Sequence, residues 1–68
     1  MGEHEVRLVH ENDGWYIYQD DVKVMGAFFV HKDRLIAKIE AKRLAKKLSP
    51  CEFSVIGYAG IEESKEYF

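Results

Sequence analysis

From His31 to Leu48 the chain runs without a glycine or a proline, and it is rich in Ala, Leu, Lys and Arg. These residues favour a helix, and Pro50 just beyond them stops it. Asp33 near the start and Lys46 and Lys47 near the end suit the two poles of the helix dipole. No other stretch has this character. A chain with a single helix must bury that helix's apolar stripe against a sheet.

The flanking segments supply the strands. Glu5 to His10 alternates, with Val6 and Leu8 on one side and Arg7 and Val9 on the other. Glu11-Asn12-Asp13-Gly14 is a cluster of turn formers, and Trp15-Tyr16-Ile17-Tyr18 is strongly β-prone. Together they predict a hairpin. Asp20-Asp21 is a second turn, and Val22 to Val30 a third strand that bends or breaks at Gly26. Phe53 to Ile56 begins a fourth strand, Ala59-Gly60 turns the chain, and Ile61 onward is a fifth strand or an extended tail. The expectation is an α+β fold in one domain over residues 1–68, with the order β-β-β-α-β-β. Four to five antiparallel strands carry one helix on one face. With 68 residues, folding buries only about 60% of the unfolded chain's surface. Self-association is the remaining route to extra stability in such a composition.

Leu8-Val9-His10, Asp13-Gly14-Trp15, the segment Ala41 to Lys47, Phe53 to Gly57, Ala59-Gly60-Ile61 and Tyr67 follow one another in a characteristic order. In this the chain resembles a family of small prokaryotic proteins catalogued as domain of unknown function number 2188. The likeness covers most of the chain. Its departures are the helix opening His31-Lys32-Asp33-Arg34, where Thr-Lys-x-Glu is usual, a spacing from there to Leu44-Ala45 that is about two residues longer than usual, and no acidic residue beside Gly60. The resemblance implies a fold and carries no activity.

Several chemistries lack their residues. Cys51 is the only cysteine, which rules out an intrachain disulfide and a multi-cysteine zinc site. It follows a helix C-terminus, where the dipole disfavours a thiolate, so it reads as a small buried hydrophobe and not as a nucleophile. His4 and His10 share a strand face but lie about 20 Å apart along it. No His-x-x-x-His or Cys-x-x-Cys spacing occurs, and no Gly-rich loop leads from a strand into the helix. The expectation is therefore no metal, no cofactor and no enzymatic activity. The apolar run from Ala27 to Val30 is too short to cross a membrane. Met1 to Glu5 does not resemble a secretory signal, and a lone cysteine suits the cytoplasm.

Charge is unevenly placed. His31 to Lys47 holds seven basic residues against two acidic ones, leaving +5, while the rest holds three against ten, leaving −7. At about 100° per residue, with Leu35 at zero, Ala37, Ala41, Leu44, Ala45 and Leu48 fall between roughly 180° and 280° and should face the sheet. Leu35, Ile36 and Ile39 fall on the far side with Lys42, Arg43 and Lys46. Either the connection into the helix or the segment Glu62 to Phe68 covers these aliphatics, or a partner does. On the sheet, Trp15 and Ile17 should be core, leaving Tyr16, Tyr18 and one of Ile56 or Tyr58 on the open face. The expected function is a non-catalytic protein-interaction module that forms a homodimer through Leu35, Ile36, Ile39, Tyr16 and Tyr18. The alternative is nucleic-acid binding through Lys38, Lys42, Arg43 and Lys46.

Overall fold

The computed structural model describes residues 3–12, 14–24 and 34–68. Strands β1 (His4–Glu11) and β2 (Gly14–Gln19) form the expected hairpin, running from Val6 opposite Gln19 to Glu11 opposite Gly14. Strand β3 (Val22–Lys23) follows the Asp20-Asp21 turn, where both residues have positive φ, 50° and 67°. Two consecutive left-handed residues give a hairpin turn whose twist matches its strands, and aspartate tolerates that region. The remainder of the anticipated third strand and the helix start at 31–33 lie outside the described residues. Helix α1 (Arg34–Lys47), β4 (Cys51–Ile56), a 3-10 turn (Tyr58–Gly60) and β5 (Glu62–Tyr67) complete the order.

One helix rests on a five-stranded sheet ordered β3-β2-β1-β4-β5. The expected α+β class holds, but the sheet is mixed: β1 and β4 pair in parallel, and every other pair is antiparallel. The cause is the helix. β3 and β4 run in the same direction, and α1 joins them as a crossover long enough for a parallel return. In crossing it passes over β2 and β1, so β4 arrives beside β1.

The core lies between helix and sheet. Val6, Leu8, Ile17, Phe53 and Val55 are fully buried on the covered face, with Trp15 almost so. Ala37, Ala41 and Ala45 have no exposed surface and form the centre of the helix stripe. Their small side chains let the helix approach the sheet. Leu44 and Leu48 pack at the rim, only partly buried. The reason is angular: Ala41 marks the middle of the stripe, and Leu44 lies about 60° away from it. The last residues form an edge strand and do not cross the outer helix face. Phe68 exchanges backbone hydrogen bonds of 2.7 and 2.8 Å with Cys51, and its ring lies 6.4 Å from that of Phe53.

Candidate functional site

Three surfaces bring chemistry-bearing residues together. The first is the outer face of α1. Leu35 is 67% exposed, and Ile36 and Ile39 are each 49% exposed. Ile39 borders a shallow groove with Lys42, Arg43 and Lys46. The cations around it are unequal. Lys42 Nζ lies 3.3 Å from Glu66 on β5, and Arg43 lies 3.3 Å from Glu40 one turn back. Arg34 pairs with Glu63. Among the described residues, Lys38, Lys46 and Lys47 have no ion pair. Helical spacing puts Leu35, Ile36 and Ile39 on one side of the helix with Lys42, Arg43 and Lys46, and in the fold Ile39 borders those three cations.

The second is the open face of the sheet, built by alternation from Glu5, Arg7 and Val9 on β1, Tyr16 and Tyr18 on β2, and Ile56 on β4. Tyr16 and Tyr18 lie on this face as expected from alternation, but neighbouring side chains cover them in part. Tyr16 is only 8% exposed, and Lys23 Nζ lies 3.9 Å from the centre of its ring. Tyr18 donates its hydroxyl proton to Glu11, and that bond, with the nearby charge, raises its pKa. Arg7 lies over its ring. The stems of long cations on neighbouring strands cover apolar rings in this way. Ion pairs cross the face: Arg7 with Asp21, Lys23 with Glu11, and Lys65 with Glu52 and Glu62. The two carboxylates raise the Lys65 pKa. Five acids, Glu5, Glu11, Asp21, Glu52 and Glu62, stand against the three bases Arg7, Lys23 and Lys65, so the face is net acidic and repels phosphates.

The third is a cluster at one end of the sheet that sequence reasoning missed. The His10 ring lies 4.8 Å from Trp15, edge-on, and 4.2 Å from Tyr58. The Arg34 guanidinium lies 5.6 Å above Trp15. The hairpin register already sets His10 opposite Trp15, but the approach of Tyr58 depends on the turn after β4 and has no local signal. Gly57 permits the geometry, because a Cβ there would overlap the Glu63 carboxylate that meets Arg34.

Cys51 is fully buried, as expected for a small hydrophobe, and burial pushes its thiol pKa up. His4 Nδ1 lies 3.1 Å from Asp20, which also accepts the Glu5 N–H at 2.8 Å; these bonds lower the Asp20 pKa. Among the described residues no group of three or more His, Cys, Asp or Glu side chains could hold a metal ion. No helix among them is long and apolar enough to cross a membrane. No family model, no curated protein and no solved structure matches the chain.

Proposed function

We propose that this protein is a non-catalytic, cytoplasmic interaction module that binds a second copy of itself through the outer face of α1. One observation carries this: three branched aliphatics, Leu35, Ile36 and Ile39, stand 67%, 49% and 49% exposed on a helix otherwise rich in lysine. Those fractions amount to about one and two-thirds side chains, worth roughly 2.5–5 kcal/mol per copy at 1.5–3 kcal/mol for each aliphatic fully buried. Association costs about 4–15 kcal/mol, so even about 5–10 kcal/mol from two copies leaves at most about 6 kcal/mol, and the contact is weak, with a Kd no tighter than about 40 μM. The resemblance to the family of unknown function adds a fold and no activity.

The test is Ile39→Glu, followed by sedimentation. A wild type that associates and a folded variant that stays monomeric support the patch as the interface. A variant that associates as well as the wild type rejects it.

The three lysines without ion pairs among the described residues support a second reading, nucleic-acid binding through Lys38, Lys42, Arg43 and Lys46. Against it, two of those four cations are engaged by Glu66 and Glu40. Failure to shift DNA or RNA at about 50 mM salt and about 100 μM protein ends this reading, since non-specific binders act in that range.

A further inference from the structure

We propose that the self-association is head-to-tail: the outer face of α1 on one copy docks on the open sheet face of the next. This rests on the self-association proposed above and adds its geometry.

The two layers of the molecule carry opposite charge. Helix α1 holds six cations and one anion, and Lys38, Lys46 and Lys47 remain without ion pairs among the described residues. The open sheet face has two more acids than bases. A symmetric contact between two helix faces sets lysine against lysine, and one between two sheet faces sets carboxylate against carboxylate. Only the contact between unlike faces brings opposite charges together, which favours encounter and fixes the partner's orientation.

The apolar parts match as well. On the helix, Leu35, Ile36 and Ile39 form the centre, with the cations as the rim. On the sheet, Val9 and Ile56 are neighbours in register and half-buried in mid-face, with Glu11 and Glu62 to either side. Tyr67, opposite Glu52 at the sheet's edge, is 61% exposed and offers an aromatic ring on the same side. An apolar centre with a charged rim is the usual anatomy of a contact surface, and here the two rims differ in sign. Because the two faces lie on opposite sides of each copy, two chains cannot satisfy both, and association continues past two chains into a filament or a larger ring.

The test uses charge reversal on each face. Lys46→Glu with Lys47→Glu alters the helix rim without breaking an ion pair among the described residues, though it removes Lys46 from over the Phe68 ring, 5.8 Å away. Glu5→Lys with Glu62→Lys alters the sheet rim, touching only weak contacts at 3.9 and 3.7 Å. Circular dichroism checks each fold, and the single changes Lys47→Glu and Glu62→Lys replace any double variant that unfolds. The expected result has three parts. The average mass of the wild type rises past two chains with concentration. Each variant alone associates at least tenfold more weakly. An equimolar mixture recovers association, because every rim then finds a rim of opposite sign on the other variant. A wild-type mass that levels off at two chains overturns head-to-tail docking and leaves self-association standing. A mixture that associates no better than its components also overturns it. A wild type that stays a single chain throughout removes both.

Discussion

Leu8→Ala and Leu44→Ala delete the same atoms from two differently buried sites. Leu8 lies in the central strand between Ile17 and Val55 and has no exposed surface. Leu44 packs at the rim of the core and is only partly buried. Truncating a fully buried leucine costs about 2–5 kcal/mol, and the cost grows with the cavity left behind. At Leu8 two neighbouring strands and a helix hold that cavity open, so the expected loss is about 3–5 kcal/mol. At Leu44 part of the side chain is already in water and the site can relax, so the expected loss is about 1–2 kcal/mol. A domain of 68 residues holds only about 3–10 kcal/mol in total. Leu8→Ala should therefore unfold the protein or nearly so, while Leu44→Ala should fold. Urea denaturation followed by Trp15 fluorescence reads both, because this sole tryptophan is 7% exposed in the folded chain. A Leu44→Ala loss equal to or larger than that of Leu8→Ala would refute the placement of the helix stripe on its alanines.

Three further outcomes follow from the contacts around the core. Gly57→Ala should displace the Glu63 carboxylate from Arg34 at a cost under about 1 kcal/mol, as for an exposed ion pair; in a Glu63→Ala background most of that cost should vanish in denaturation curves. Asp20 has a lowered folded pKa, so its contribution is complete above its unfolded value, roughly 3.9, and drains away below it. Asp20→Asn should therefore flatten the acid limb of a stability–pH curve, and an unchanged limb would contradict the role given to His4 and the Glu5 N–H. The Cys51 thiol, buried and with a raised pKa, should react with a thiol reagent only as fast as the chain opens; rapid labelling of the native protein would show that the β4 end of the core is open.

Local signals were legible where local physics decides. The turn formers at Glu11 to Gly14, the paired aspartates and the alanine spacing each correspond to an observed element. The parallel pairing of β1 and β4 was not legible, because alternation gives a strand its faces but not its neighbours. Leu44 and Leu48 were expected to face the sheet, mostly buried with the core. They lie at its rim because the helix comes closest through its smallest side chains, and that displaces the leucines to one side. Tyr16 was correctly placed on the open face, yet it is covered there, since no pattern within β2 reports a lysine arriving from β3. The aliphatics of the outer helix face were found by angle alone, because helical geometry fixes a residue's side without knowledge of the rest of the fold.

Self-association is most directly tested by the wild-type mass in solution. Sedimentation equilibrium of the protein free of nucleic acid, from about 10 μM to 1 mM, covers concentrations on both sides of a Kd near 40 μM, the tightest that this burial allows. The expected result is an average mass that starts near 7.9 kDa and climbs with concentration beyond a single chain. A mass that stays at 7.9 kDa up to 1 mM would contradict an interface on Leu35, Ile36 and Ile39.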